Sequence, residues 1–372
     1  MNILLVDDLA NKGWSEITKK VLELSDSDLQ SISTVDGAKK VLNEEKFDLI
    51  LLDLRFGEKD HINHEIEQFG GYEILKSIKK DFNSINYSTP VILFTATNKI
   101  WNIHFMIEEG VDDFYIKEHP DYSYDTSFSK NNYLRFKNAF LNLLETGKQK
   151  YQIWKKIRSI ITSGTFYNDN IKGRVEEKLK IGYGILFRKV TNNEQEVLLF
   201  NKEVISFIVF FSILEEIAKD SFKDHWDKGK NETGMKNNRD WKLQNDEIFI
   251  ENNEIDKNKG NYKLGIKWIY DKKKYIKKIE KYEPKKFKKK PRFSGIVNLR
   301  EQIFAVLLLL KGWDSDKAKK FDSLNNYRNK NDFIHSSNRA IFKERLVKNQ
   351  DDEAYKKVVE LINFIHDVLV EN

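Results

Sequence analysis

Four short apolar runs in the first third of the chain each stop at a polar residue, and this recurrence constrains the fold most. Ile3 to Val6 (ILLV) ends in the acid pair Asp7-Asp8, and Phe47 to Leu52 (FDLILL) ends in Asp53. Val91 to Phe94 ends in Thr95, and Phe114 to Ile116 ends in Lys117. Such runs read as buried parallel strands, and the segments between them carry helical spacing. The pattern is βαβα and predicts an α/β doubly wound parallel sheet with helices on both faces. In sheets of this kind functional groups gather beyond the carboxyl ends of the strands, where the strand order reverses. All five polar residues fall at that edge.

The residue types indicate the chemistry. Three carboxylates at one edge repel each other and bind a hard divalent cation, Mg²⁺ with several waters retained. Asp53, alone at the end of the central strand, suits a nucleophile that accepts a phosphoryl group as an acyl phosphate. Lys117 can neutralise first the carboxylate and then the phosphate, while the Thr95 hydroxyl can hydrogen-bond a phosphoryl oxygen.

This set, in its order and spacing, resembles the receiver domain of two-component response regulators. The resemblance implies a flavodoxin-like fold and a sensor histidine kinase as partner. It also implies that Asp8, Asp53 and the backbone carbonyl of Arg55 ligate the metal, with Asp7 in support. Phe114 becomes the aromatic that moves with Thr95 on phosphorylation, and the small Ala96 leaves room for a phosphodonor. Two departures stand out. The glycine that follows the acceptor by about eight residues in receivers is here Gly70-Gly71, so the loop from Leu54 to Phe69 is about ten residues long in excess. Lys117 is followed by Glu118 where receivers carry proline. The loop holds His61, His64, Glu65 and Glu67, which read as a solvated loop ahead of a metal cluster.

A chain of 372 residues exceeds one such domain and suggests two or three. The absence of cysteine excludes disulfides and thiolate metal sites and fits a reducing cytoplasm. The N-terminus opens directly on a strand, with no room for a signal peptide. The longest apolar stretches, Val204 to Leu214 and Phe304 to Leu310, are too short to span a bilayer and read as core helices. Charge divides the chain. Residues 1–125 carry 13 Lys and Arg against 24 Asp and Glu, a net of −11; the remainder carries 51 against 34, a net of +17. A basic second half implies an anionic partner, and attraction between the halves.

The receiver is expected to close with a helix at Asn131–Leu144 and to exit at Thr146-Gly147, so its span is 1–147. Residues 148–202 read as a connecting helix (Tyr151–Ile161) and a β-hairpin over Ile181–Phe200, turning at residues 191–194. Residues 203–372 read as mainly helical (203–222, 297–311, 315–337 and 351–370), with a polar, basic insertion at 223–296 adding little core.

Within 315–337, Arg328 and His335 are seven apart and fall within ~20° of each other on one helix face, in line with Asn325, Asp332, Phe321 and Leu324. A guanidinium and an imidazole on one stripe suit phosphodiester chemistry: Arg holds phosphoryl oxygens and His moves a proton. With Asn329 directly after Arg328, the segment resembles the Arg-x4–6-His motif of the HEPN superfamily, at the long end of its spacing. That resemblance covers roughly 200–372. It implies a metal-independent ribonuclease acting as a homodimer, with Arg328, His335 and Asn329 in the site and no cofactor for the effector. Glu215-Glu216 is a candidate polar partner. In residues 272–292, Lys277, Lys278, Lys285, Lys286, Lys288, Lys289 and Lys290 interleave with Tyr275, Tyr282 and Phe287. The pattern suits single-stranded RNA, or else a solvated lysine-rich loop. Two functions compete: a phosphorylation-controlled endoribonuclease, and a non-enzymatic response regulator whose helical half binds nucleic acid or a partner protein. No helix-turn-helix is evident, which favours the first.

Overall fold

The computed structural model describes residues 1–57, 60, 65–96, 100–118, 127–166, 169–187, 202–226, 239–243, 249–250, 315–330 and 352–370. The chain divides into two compact units, Met1–Lys155 with Phe187–Leu199, and Lys156–Leu186 with Phe200–Asn372.

The first unit is built on five parallel strands: β1 (Ile3–Val6), β2 (Leu29–Ile32), β3 (Leu49–Leu52), β4 (Val91–Thr95) and β5 (Asp113–Ile116). Their order, β2-β1-β3-β4-β5, is that of a doubly wound sheet, the fold class expected from the sequence, and β2 is a strand the sequence did not reveal. Every residue of β1, β3 and β4 is buried, as befits strands covered on both faces. Successive residues point to opposite cores. Leu4, Val6, Ile50 and Leu52 join one cluster, packed by α2 (Val35–Glu44), α3 (Gly70–Lys79) and α4 (Ile100–Glu108). Ile3, Leu5, Leu49 and Leu51 join the other, packed by α1 (Trp14–Leu22) and by Phe136 and Phe140 of α5 (Ser127–Ser163). Local chemistry fixes the ends: the Thr34 hydroxyl caps α2 by accepting the Gly37 N–H at 3.2 Å.

The α5 helix corrects one expectation. It runs unbroken from Ser127 to Ser163, where the sequence suggested a stop at Thr146-Gly147 and a separate helix after it. Gly147 is there for close approach. A Cβ on it would lie 2.8 Å from Pro90 Cγ, and the Thr146 hydroxyl bonds back to the Asn142 carbonyl at 2.9 Å. Beyond it, the Trp154 indole N–H reaches the Phe82 carbonyl at 2.9 Å.

The second unit is mostly helical: the end of α5, then α6 (Asp169–Phe187), α7 (Lys202–Ser221), α8 (Ser315–Lys330) and α9 (Asp352–Leu369). Phe207, Phe210, Phe211, Phe321 and Phe364 are the largest fully buried side chains among its described residues, with Phe321 6.1 Å from Phe211 and 6.0 Å from Phe364 between ring centres. Two further corrections belong here. Residues 181–187, expected to begin a hairpin, close α6; Gly182 lets that helix meet α7, since a Cβ would stand 2.5 Å from the Phe210 ring. Residues 188–200 lie outside the described part. The stretch after α7, read from the sequence as a polar insertion from 223 onward, starts an antiparallel sheet of β6 (Phe222–Trp226), β7 (Arg239–Leu243) and β8 (Phe249–Ile250), so Phe222 opens a strand where a helix end was expected. No described helix is long and apolar enough to cross a membrane.

Candidate functional site

The parallel sheet delivers four chain segments to one edge. β1 is followed by Asp7 and Asp8 and β3 by Asp53, β4 ends in Thr95, and β5 is followed at once by Lys117. β1 and β3 are neighbours and the chain winds away from them in opposite senses, so the acids occupy the switch-point crevice. Asp7, Asp8 and Asp53 each present a carboxylate oxygen, and these atoms lie within 4.8 Å of one another. Asp7 and Asp53 are buried and Asp8 is half-buried.

Lys117 joins the cluster from across the sheet. Its ammonium donates to Asp7 Oδ2 at 2.7 Å and to Asp53 Oδ2, with its side chain only 3% exposed. The backbone N–H of Lys117 bonds the Thr95 carbonyl at 2.8 Å, which ties the end of β5 to that of β4. Backbone donors hold the acids: Leu9 N–H on Asp7 Oδ1 (2.9 Å), Leu54 N–H on Asp53 Oδ1 (2.7 Å) and Gly57 N–H on Asp8 Oδ2 (2.9 Å). Burial drives the Asp53 carboxyl up to about 6, helped by the Asp7 charge and opposed by Lys117 and the Leu54 N–H. One ammonium against three carboxylates leaves the cluster short of positive charge. Its all-oxygen donor set fits a hard divalent cation.

The other expected residues of this unit fall around that centre. Thr95 is buried at the tip of β4. Arg55 lies two residues past Asp53 with its guanidinium over the Phe69 ring at 4.7 Å. Phe114 is partly buried on β5, with the Arg135 guanidinium 3.9 Å from its ring centre and Arg135 paired to Asp113 at 2.8 Å. Glu118 accepts from Asn132, which also bonds the Ile116 carbonyl and so fixes the chain just past β5.

Three residues went unnoticed in the sequence. Asp60 in the long loop is buried and accepts from both Phe56 N–H (2.7 Å) and Gly70 N–H (2.8 Å), closing the loop on itself. Trp14 and Phe94 set ring faces 5.3 and 5.2 Å from the Lys117 ammonium. The only sequence signals were an aspartate within the excess loop and aromatics flanking the site segments. His61 and His64 lie outside the described residues.

In the second unit, Arg328 on α8 donates to Glu215 on α7 at 2.6 Å and lies over the Phe211 ring at 4.9 Å. The expected stripe is present as far as it is described: Phe321 and Leu324 are buried, Asn325 and Arg328 half-buried, and Asn329 exposed. Glu216 binds Arg174 (3.0 Å) and Lys178 (2.9 Å) of α6 instead. His335, Asp332 and the basic run of Lys277, Lys278, Lys285, Lys286, Lys288, Lys289 and Lys290 lie outside the described residues.

Residues 3–122 match the model of the family described as the response regulator receiver domain. This N-terminal stretch is therefore a receiver domain of the two-component type. Solved structures similar to the chain include three receivers. One is the N-terminal signal receiver domain of a two-component response regulator from Bacteroides fragilis: 26% identity, 38% of this chain and 95% of that one, TM-score 0.28. Another is a CheY-like receiver domain protein from Methanospirillum hungatei: 19% identity, 40% and 97% covered, TM-score 0.29. The third is the Mn²⁺-bound form of response regulator Rcp1: 22% identity, 37% and 88% covered, TM-score 0.27. No match was found among curated proteins.

Proposed function

We propose that the chain is a phosphorylation-controlled response regulator in which Asp53 accepts the phosphoryl group and the helical unit is a metal-independent endoribonuclease. The observation that carries the first part is the Lys117 ammonium bonded to both Asp7 and Asp53, with Asp8 beside them. An Asp53 carboxylate oxygen attacks phosphorus, the bond from phosphorus to the donor's leaving atom breaks, and that atom keeps the electron pair. Lys117 offsets the negative charge that the phosphoryl group brings, and the Thr95 hydroxyl donates to one of its oxygens. Asp7, Asp8, Asp53 and the Arg55 carbonyl are the ligand set for Mg²⁺, which when bound neutralises the crowded oxygens. A sensor histidine kinase is the phosphodonor partner and the cytoplasm the setting, with Phe114 as the aromatic that responds together with Thr95.

The second part rests on Arg328, partly exposed and oriented by Glu215, at the head of an Arg-Asn…His motif. In this reading the RNA 2′-hydroxyl attacks its neighbouring phosphate and the 5′-oxygen leaves. His335 carries the proton, Asn329 assists, and Arg328 offsets charge on the pentacoordinate state. The products are a 2′,3′-cyclic phosphate and a 5′-hydroxyl, and DNA, lacking the attacking group, is inert. Two copies pool their Arg and His residues in a homodimer.

The test is acetyl phosphate with Mg²⁺, read by intact mass, followed by RNA and DNA challenge in EDTA. Wild type should gain one phosphoryl mass and Asp53→Asn none. RNA alone should be cut, and Arg328→Ala should cut neither. Uptake by the Asp53→Asn protein defeats the first part, and undiminished cleavage by Arg328→Ala the second.

A further inference from the structure

The Lys117 ammonium has three N–H donors and two carboxylate neighbours, Asp7 and Asp53. Two aromatic rings also flank it. The ring centre of Trp14 is 5.3 Å from Nζ and that of Phe94 is 5.2 Å. The two rings meet edge to face, 5.6 Å apart and at 88°, so they form a corner around the cation. With the Lys117 side chain 3% exposed, π faces stand where water would otherwise solvate it.

The two walls of this corner differ in rigidity. Phe94 is buried on β4 directly before Thr95, and it stacks on Tyr115 (5.4 Å) and touches Phe136 of α5 (5.9 Å). Trp14 is only partly buried and opens α1. It follows Gly13, whose φ of 110° makes the turn from the 3-10 segment Ala10–Lys12 into that helix. The sequence thus spends a left-handed glycine and a short extra turn to place one large ring beside Lys117.

We propose that Trp14 is a positioning residue for Lys117, holding the ammonium at the site when its carboxylate partners are engaged elsewhere. This rests on the receiver reading above. Anything that takes up the Asp7 and Asp53 oxygens, whether a cation or a phosphoryl group, weakens the two ion pairs that fix Lys117. The attraction of the ring faces involves neither carboxylate and persists. The ammonium then stays within reach of the arriving phosphoryl oxygens, where a lysine with water behind it would swing out.

A plain core-filling role for Trp14 makes a different forecast, and two substitutions in the full chain separate them. Trp14→Leu fills space without a π face, while Trp14→Phe keeps a face. Phosphoryl uptake from acetyl phosphate with Mg²⁺ should slow on the order of tenfold in Trp14→Leu and stay near wild type in Trp14→Phe. Uptake in Trp14→Leu at the wild-type rate overturns the proposal, as does an equal loss in both variants at equal melting temperature. Indole emission supplies a second readout that needs no phosphorylation. Lys117→Met should shift the emission of the wild-type background and leave that of the Trp14→Phe background unchanged. If wild type takes up no phosphoryl group, the receiver reading fails by itself, and the emission pair still decides the placement of Lys117. Emission unaffected by Lys117→Met overturns it.

Discussion

Gly71 lies against the backbone of Asp53: a Cβ on Gly71 would stand 2.2 Å from the Asp53 carbonyl oxygen and 2.7 Å from Leu54 Cα. The Gly71 N–H also bonds the Leu54 carbonyl at 3.1 Å. The first turn of α3 is thereby pressed onto the chain that carries Asp53, however long the loop before it.

Gly71→Ala should therefore cost about 1–3 kcal/mol or more and displace Asp53, because backbone cannot yield as a side chain can. Gly70→Ala should cost less, since its closest contacts are the side chains of Val35 and Phe56. Urea denaturation with a Mg²⁺ titration of both variants checks this. Equal stability and equal metal affinity would contradict it.

Gly147→Ala sets two effects against each other. Helix propensity favours alanine by ~1 kcal/mol in the interior of α5. The new methyl would meet Pro90 Cγ at 2.8 Å and Cδ at 3.0 Å, and a proline ring packed between strand and helix has little freedom. Overpacking should win, with a net loss of about 1–2 kcal/mol in thermal or urea unfolding.

At the opposite edge of the sheet three lysines converge. Lys79 donates to the Tyr87 (3.1 Å) and Thr89 (2.7 Å) carbonyls, Lys46 to the Thr89 hydroxyl (2.6 Å), and Lys150 pairs with buried Asp112. Burial lowers Lys79 to about 8, opposed by Asp112 and helped by Lys150 and Lys46; burial likewise lowers Lys46 to about 8. The stem of Lys79 is partly exposed, yet its ammonium is enclosed. Between pH 8 and the ordinary value of 10.5 the unfolded chain binds more protons than the folded one, so stability rises with pH across that window. Each lysine contributes on the order of 3 kcal/mol to the rise, and that stability is lost again as pH falls to 8. Urea midpoints at pH 7.5 and 9.5 should show the increase, and Lys79→Met should flatten it by about half. A midpoint independent of pH would refute this account.

The ribonuclease role proposed for Arg328 can be tested apart from stability. Its pair with Glu215 is 29% and 27% exposed, so truncation to alanine should cost no more than about 1 kcal/mol in unfolding. RNA cleavage in EDTA should nevertheless vanish. Glu215→Gln keeps a hydrogen-bond acceptor for the guanidinium and should keep more activity than Glu215→Ala.

Four of the five strands and the acidic edge were legible because strands covered on both faces are mostly apolar, which leaves the Asp, Thr and Lys residues at their ends conspicuous; β2 (LQSI), only partly buried, carries no such signal. The helical elements were less so. Ile181, Tyr183 and Ile185 alternate with Gly182 and Gly184 as apolar residues of a strand would with small ones, but Gly182 is small because Phe210 approaches it, a reason visible only in three dimensions. Thr146-Gly147 looked like a helix end for the same reason. The aromatic corner was hidden because Trp14, Phe94 and Lys117 are far apart in the chain, and a single tryptophan at a helix start reads as core.

The two backbone bonds to Asp60 have a consequence for what the excess loop can tolerate. One carboxylate oxygen ties the amides of Phe56 and Gly70, so the ends of the loop are set independently of its contents. Closing a loop grows costlier only slowly with its length, by roughly 0.6 kcal/mol per doubling. Segments grafted between residues 61 and 64 should leave the Asp53 site undisturbed, which suits this stretch to reporter sequences.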